Sequence, residues 1–257
     1  MSLFNETLKN IPLKEVLFLI IILFLIQFIF NSLNIVHINS VWIYICIIIY
    51  FFYKLRNNFS SLKEDFAGIF QFNVVKYVLI IVILNIFLSY GFLYLSNYLL
   101  VICPEINNLF NLQIFSGNAN NSLILIGGFI ATVFVSPVCE ELIFRGVLIN
   151  KLKLIVPTTF AIVISSLLFA SLHPYGSIMS AFVFAICMAV FYIKTENILV
   201  AIFAHFLNNL LAEVIVILDK GNILFTNDFI MIVISILAII SGIVLTVALI
   251  GELNKIK

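Results

Sequence analysis

Five side chains able to do acid–base chemistry or to donate hydrogen bonds stand inside, or at the end of, long apolar runs. They are Glu140, Glu141, His173, His205 and Asn209. A buried carboxylate can act as a general base on water. Carboxamide and imidazole N–H groups can stabilise a developing oxyanion. Because a charged residue at the centre of a membrane helix costs at least about 2.5–3.5 kcal/mol, these residues indicate a functional site.

Their spacing assigns different directions to the two carboxylates. Adjacent residues on an α-helix point about 100° apart, so Glu140 and Glu141 cannot face the same spot. Glu141 and Arg145 are four residues apart and suit an ion pair, which leaves Glu140 as the freer carboxylate. Glu141 then supports a neighbouring helix or Arg145, or takes a direct part in the chemistry. His205 and Asn209 are also four residues apart and share one helix face.

The composition excludes several classes of protein. The chain has 257 residues, of which 64% are hydrophobic and 10% charged, with a mean hydropathy of +1.26. Soluble domains are about 45–50% apolar and about 25% charged. A soluble enzyme, a nucleic-acid-binding protein and a disordered chain are therefore excluded. The net charge of +1 gives no reason to expect a polyanionic partner, and we predict that no nucleic acid is bound.

Eight apolar segments must position these residues, each long enough, or nearly so, to cross a bilayer as a helix of about 20 residues. Lipid offers the backbone no hydrogen-bond partners, so helices are expected. The segments are 16–36, 38–53, 74–102, 123–149, 158–172, 177–193, 198–218 and 229–250. We predict an all-α polytopic membrane protein with about eight transmembrane helices and an active-site cavity within the bundle. Residues 1–257 form a single integral membrane domain, with its motif-bearing core at about 123–218.

The distribution of basic residues predicts the orientation of these helices. Cytoplasmic loops carry the excess of Lys and Arg. With the N-terminus inside, twelve of the 13 Lys and Arg fall on the inner side, and only Lys220 falls outside. We therefore predict a multi-pass protein of the cell membrane, in contact with membrane lipid, with both termini in the cytoplasm.

Depth along the helices predicts that the polar groups can meet. Glu140 lies eleven residues before Lys151, and His205 lies eleven residues after Lys194. At about 1.5 Å per residue, both are roughly 16 Å from the inner helix ends. His173 lies fifteen residues beyond the start of its segment, roughly 22 Å for an upright helix. All three levels are near the middle of a hydrocarbon core about 30 Å thick.

The polar residues form three motifs, E-E-x-x-x-R, F-x-x-x-H and H-x-x-x-N, on three successive motif-bearing segments. Together, in this order, they resemble the CPBP intramembrane proteases. That family includes the CAAX prenyl endopeptidases and the bacterial abortive-infection or bacteriocin-processing proteins. The matching residues in this chain are Glu140, Glu141 and Arg145, then Phe169 and His173, then His205 and Asn209. The resemblance covers about residues 123–218.

The resemblance implies an activity and roles for these residues. It implies an intramembrane endopeptidase in which Glu140 and His173 activate water, and His205 and Asn209 stabilise the oxyanion. Arg145 is expected to be structural and Phe169 to serve packing. The implied substrate is a membrane-associated peptide or protein, such as a prenylated C-terminus, a pheromone or a bacteriocin leader.

The metal state is left open by the sequence. The family has been described both as metalloproteases and as glutamate-dependent enzymes without a metal. Glu140, His173 and His205 could ligate one divalent ion such as zinc and leave a position for water. However, no H-E-x-x-H helix is present, and the three ligands would come from three separate helices. We favour the reading without a metal.

An alternative function is a non-enzymatic membrane protein of the same fold. Intramembrane Glu and His also build proton relays, so a proton or ion carrier is one possibility. A bacteriocin-immunity or scaffold protein is another. Under this alternative, Glu140 pairs with Arg145 to hold helices together, and His205 and Asn209 make interhelical hydrogen bonds. Glu213, one turn beyond Asn209, could line the same cavity or face the outer membrane interface, and the sequence does not choose between the two.

Overall fold

The computed structural model describes residues 1–34, 39, 41–103, 105 and 122–256, and over these residues the chain is helical without strands. A long helix here called α6, residues 122–152, consists of five consecutive helical segments from Ser122–Ile130 to Ile149–Leu152. The other helices are α1 (Leu3–Asn10), α2 (Leu13–Ser32), α3 (Val41–Leu55), α4 (Leu62–Ile69), α5 (Phe72–Ile102), α7 (Thr158–Ala170), α8 (Ile178–Thr195), α9 (Ile198–Leu218), α10 (Ile223–Thr226) and α11 (Asp228–Leu253).

Six helical stretches in the described part are long and apolar enough to cross a membrane. They are Leu13–Ser32, Asn73–Ile102, Ile126–Leu152, Tyr175–Thr195, Ile198–Leu218 and Asp228–Leu253. The predicted all-α polytopic membrane fold is confirmed, but the count of eight spans is not. The predicted second and fifth segments correspond to α3 and α7, which have 15 and 13 residues. At about 1.5 Å per residue these helices are shorter than a hydrocarbon core of about 30 Å. The predicted start of the second segment, residue 38, lies outside the described residues.

Helix α6 is interrupted by two π-helical turns on either side of its carboxylates. Residues Ala131–Val135 and Leu142–Leu148 are π-helical, and the α-helical turn Ser136–Glu141 lies between them. Pro137 accounts for the first interruption, because proline has no N–H and its ring crowds the carbonyl four residues earlier. Short π-helical insertions are rare and occur frequently at functional sites.

Helix α6 is enclosed by its neighbours. Helix α3 packs against its central turn, α9 packs along its first half, and α7 and α8 form an antiparallel pair beside its second half. Helix α1 packs against the second π-helical turn, where a Cβ atom on Gly146 would lie 2.7 Å from Leu8 Cδ2. Only a residue without a side chain allows this approach.

Candidate active site

The two neighbouring glutamates of α6 point in different directions, as their spacing predicts. Glu141 is fully buried and faces Arg145 and His205. Its Oε1 accepts a hydrogen bond from Arg145 Nη1 at 3.1 Å and lies 2.8 Å from His205 Nδ1. The predicted i, i+4 ion pair is therefore present, and the same oxygen also holds the histidine of α9.

Arg145 is buried and joins α6 to two further helices. Its Nη2 donates to the backbone carbonyl of Ala185 in α8 at 3.0 Å. Its guanidinium lies 4.6 Å from the centre of the Phe169 ring in α7. A buried cation needs both charge and hydrogen-bond partners, and Glu141 with Ala185 supplies them. This arrangement supports the structural role expected of Arg145.

Phe169 stands between the two imidazoles. Its ring centre is 4.7 Å from that of His173 and 5.8 Å from that of His205. The ring centre of Phe184 in α8 lies 5.5 Å from that of His205. Phe169 is buried, as its expected packing role requires. The ring packing fixes the orientation of His205 together with its contact to Glu141.

Glu140 presents its two carboxylate oxygens to different surroundings. Oε1 accepts a hydrogen bond from Ser136 Oγ, one turn earlier in α6, and lies 3.5 Å from the hydroxyl of Tyr44 in α3. Oε2 is buried without a hydrogen-bond partner among the described residues and lies 4.0 Å from His205 Nε2. The side chain of Glu140 is 14% exposed, whereas that of Glu141 is 0% exposed.

His173 lies in the turn that follows α7, since the helix ends at Ala170 and not at residue 172 as predicted. Its Nδ1 lies 3.0 Å from the carbonyl oxygen of Phe169. A carbonyl only accepts hydrogen bonds, so Nδ1 carries the proton and the other ring nitrogen is free to accept one. The rings of His173 and His205 both pack against Phe169.

Asn209 is held by hydrogen bonds to α6 and to the adjacent residue of α9. Its Nδ2 donates to the carbonyl of Thr132 in α6 at 2.9 Å, and its Oδ1 accepts from Asn208 at 3.3 Å. Asn208 in turn accepts from the buried Asn85 of α5 at 2.9 Å. The structure therefore ties Asn209 to the helix that carries Glu140. Glu213 is half-buried on the same helix and makes no hydrogen bond or ion pair with the described residues.

The possible zinc ligands Glu140, His173 and His205 are not gathered as one ligand set in the described part of the chain. Among the described residues, no three side chains of His, Cys, Asp or Glu are placed to hold one metal ion. Glu140 and His205 approach each other, and the contacts of His205 Nδ1 with Glu141 and of His173 Nδ1 with a backbone carbonyl leave the Nε2 atom of each ring available. Metal-ligating histidines commonly make such contacts through their other ring nitrogen, so the metal state stays a prediction.

A largely apolar groove in the described part lies away from these residues. It has a volume of about 760 Å³ and lies between α5 and α11. A Cβ atom on Gly91 would lie 2.4 Å from the Cβ of Ala238 at this helix pair. The lining is largely apolar and includes none of the seven motif residues. The predicted active-site cavity therefore does not coincide with this groove.

Two neighbours of Glu140 were not anticipated from the sequence. Ser136 could have been found, because a hydroxyl four residues before a carboxylate lies on the same helix face. Tyr44 gives no comparable signal, because it belongs to α3, far from Glu140 in sequence.

Comparison with known proteins was informative for one part of the chain. Residues 122–211 match the family described as type II CAAX prenyl endopeptidase, Rce1-like. The match spans all three motifs and leaves out α1 to α5, α10 and α11. No curated protein and no solved structure matches the chain. The resemblance indicated by the motifs is confirmed over residues 122–211, which are similar to the type II CAAX prenyl endopeptidase, Rce1-like family.

Proposed function

We propose that this membrane protein is an endopeptidase that hydrolyses a peptide bond of a membrane-associated peptide, with Glu140 as general base. The proposal rests on one observation, which is that the two neighbouring glutamates have different contacts. Oε1 of Glu141 engages His205 and Arg145 and its side chain is fully buried, whereas the side chain of Glu140 is 14% exposed. Oε2 has no hydrogen-bond partner in the described part of the chain in either glutamate, but only in Glu140 does it face His205 Nε2. That oxygen lies 4.0 Å from His205 Nε2. A water molecule bonded to both atoms at about 2.8 Å spans a gap of about 4 to 4.5 Å.

In the first half of the reaction, Glu140 Oε2 takes a proton from this water while the water oxygen forms a bond to the peptide carbonyl carbon. The carbonyl π electrons move to the oxygen and give a tetrahedral oxyanion. In the second half, the C–N bond breaks, and the proton passes from Glu140 to the leaving nitrogen. The products are a carboxyl terminus and an amine. His173 holds the water through its unprotonated ring nitrogen.

The oxyanion is stabilised by donors on α9. Asn209 offers an N–H group beyond the one donated to Thr132. His205 directs Nδ1 to Glu141, so its Nε2 donates only when the ring carries both protons. Glu141 holds the ring in place because its carboxylate lies 2.8 Å from Nδ1. The role of Glu141 in this scheme is therefore to position His205.

The substrate is proposed to enter from the cytoplasm or from the inner leaflet. The Lys and Arg distribution supports cytoplasmic termini. Several contacts also bring the N-terminal region, the end of α6, the turn between α8 and α9 and the end of α11 together. Lys151 at the end of α6 donates to the carbonyl of Lys9, and Lys9 pairs with Glu196 in the turn between α8 and α9. Lys194 pairs with Glu252 near the end of α11. A prenylated C-terminus, a pheromone or a leader peptide is the substrate class that fits a membrane-embedded site.

The proposal is tested with Glu140→Gln and with His173→Ala. Membranes that contain the wild type should accumulate peptide fragments, detected by mass spectrometry, that are missing from membranes with either variant. The matched control is Glu213→Gln, which removes a half-buried carboxylate from α9 and should leave cleavage unchanged. Full cleavage by Glu140→Gln would overturn the proposal.

A proton-flux assay distinguishes the proposed endopeptidase from a proton carrier. Under the endopeptidase proposal, purified protein in liposomes should conduct no protons. Proton flux by the wild type that is lost in Glu140→Gln would favour a carrier instead.

A further inference from the structure

We propose that Ser136 and Tyr44 are positioning residues that hold Oε1 of Glu140 and thereby assign the proton-accepting role to Oε2. This inference rests on the proposed function and extends it beyond the three motifs. Ser136 Oγ and the Tyr44 hydroxyl both reach Oε1. Oε2 is buried and receives no hydrogen bond from the described residues. The carboxylate of Glu140 is therefore held through Oε1 alone.

The orientation has a chemical consequence. Hydrogen bonds to one carboxylate oxygen stabilise the ionised form and fix the side-chain rotamer. They also concentrate proton-accepting capacity on the oxygen without donors. For Glu140 this oxygen is the one 4.0 Å from His205 Nε2. A carboxylate free to rotate would present Oε2 to the water for only part of the time, and a misplacement of about 1 Å can reduce a rate about a hundredfold.

Ser136 is suited to this role by its local backbone. It begins the α-helical turn that ends at Glu141, between the two π-helical turns of α6. A serine inside a helix commonly bonds to the carbonyl four residues earlier. Ser136 instead donates forward to Glu140, four residues later. The regular α-helical geometry of this one turn places the hydroxyl and the carboxylate on the same face.

Tyr44 connects the site to a helix outside the matched segment. It lies on α3. Ile43, which precedes Tyr44, and Ile47, which follows it, are buried in the hydrophobic core. Helix α3 also packs against the α-helical turn that carries Glu140. At 3.5 Å the contact of Tyr44 with Oε1 is longer than a typical O–H···O bond, so its contribution should be smaller than that of Ser136. The site is therefore completed by α3 and not by residues 122–211 alone.

The test compares the steady-state kinetics of Ser136→Ala, Ser136→Thr and Tyr44→Phe. The substrate is the peptide that wild-type membranes cleave, or a farnesylated peptide with a CAAX terminus. Ser136→Ala should lower kcat by about 10- to 100-fold, the worth of one hydrogen bond to a charged group, with KM unchanged. Ser136→Thr keeps the hydroxyl and should stay within about threefold of wild type. Tyr44→Phe should lower kcat by about three- to tenfold.

The matched control is Tyr50→Phe. Tyr50 lies on the same helix, and its hydroxyl donates a hydrogen bond to Glu15 Oε2 at 3.0 Å, away from Glu140. Its removal should leave kcat unchanged. A fall in kcat for Tyr50→Phe equal to that for Tyr44→Phe would show that α3 acts by general packing and would overturn the proposed role of Tyr44.

A second readout does not need turnover. The carboxylate stretching band of Glu140 is identified in the infrared spectrum by subtraction of the Glu140→Gln spectrum. This band should shift in Ser136→Ala, because Oε1 loses its hydrogen bond, and should be unchanged in Tyr50→Phe. An unshifted band in Ser136→Ala overturns the inference, whatever the activity of the variant.

The outcomes separate the two proposals. Loss of cleavage in Glu140→Gln together with wild-type kcat in both Ser136→Ala and Tyr44→Phe contradicts only the positioning role. Full cleavage by Glu140→Gln contradicts the proposed function itself. A raised KM with unchanged kcat in Ser136→Ala would place Ser136 in substrate binding and would also contradict the positioning role.

Discussion

The carboxylate of Glu141 lies 2.8 Å from His205 Nδ1, so the first motif and the third motif are joined by a direct contact between buried side chains. The same oxygen accepts from Arg145. A glutamate that immediately follows the proposed general base is thus occupied with the histidine of another helix. The pair E-E is not two copies of one function, because neighbouring residues on a helix face different partners.

Replacement of Glu141 by Ala should destabilise the protein more than replacement of Glu140 by Ala. Glu141→Ala leaves the buried Arg145 guanidinium without its carboxylate, and breaking a buried pair typically costs about 3–5 kcal/mol. Thermal unfolding in detergent measures the difference. Glu140→Ala should unfold near the wild-type temperature while its cleavage is lost. Equal unfolding temperatures for the two variants would contradict the structural role of the Glu141–Arg145 pair.

Asn209→Asp should reduce turnover without a large change in substrate binding. Aspartate has nearly the shape of asparagine but, when ionised, donates no hydrogen bonds, so it cannot stabilise an oxyanion or bond to the carbonyl of Thr132. Loss of one such donor typically lowers kcat by about 10²–10³. Steady-state kinetics on a cleaved peptide check this expectation. A change in KM alone would instead place Asn209 in substrate binding.

Gly146→Ala should weaken the packing of α1 against α6. The added Cβ would lie 2.7–3.0 Å from three carbon atoms of Leu8, and overpacking of this kind typically costs about 1–3 kcal/mol. Gly128→Ala is the matched control in the same helix, since nothing lies within 4 Å of its Cβ position. Unfolding temperatures of both variants should show a loss only for Gly146→Ala.

Leu8→Ala provides the complementary change. Alone, it should destabilise by leaving a cavity, because Leu8 is fully buried. Combined with Gly146→Ala, it removes the clash, so the double variant should be more stable than the sum of the two single effects predicts. Additive effects would show that Leu8 and Gly146 do not constrain each other.

Asp65 should make stability depend on pH. It lies on α4, outside the candidate membrane spans, and is buried beside Ser2 and Asn5. Burial raises the pKa of its carboxyl, and hydrogen bonds from Ser2 and Asn5 offset this in part. Because the folded-state pKa lies above the unfolded one of about 3.9, folding favours the protonated form. The contribution of Asp65 to stability is therefore present at low pH and is lost as pH rises through the folded-state pKa.

The measurement is the unfolding temperature of wild type and of Asp65→Asn in detergent as a function of pH. Wild type should lose stability relative to Asp65→Asn as pH rises from below 3.9 through the raised pKa, and the difference should then become constant. The opposite trend, a relative gain with rising pH, would mean that the Ser2 and Asn5 hydrogen bonds outweigh burial.

Sequence determined the fold class and two side-chain relationships within the candidate site. Apolar runs of about 20 residues leave the backbone no alternative to helices in lipid, and the all-α membrane fold follows. Spacing on a helix predicted both the Glu141–Arg145 pair and the divergence of Glu140 from Glu141. These are local properties, fixed by the 3.6-residue period. The number of crossing helices was not determined, because apolar composition does not show where a helix such as α7 ends.

Tertiary structure decided which side chains of different helices contact each other. His205 could have faced either glutamate, and it places Nδ1 at Glu141 and Nε2 toward Glu140. Tyr44 contacts Glu140 across 96 positions of sequence. Such contacts depend on the packing and rotation of whole helices, to which many residues contribute small energies, and no local spacing rule contains them.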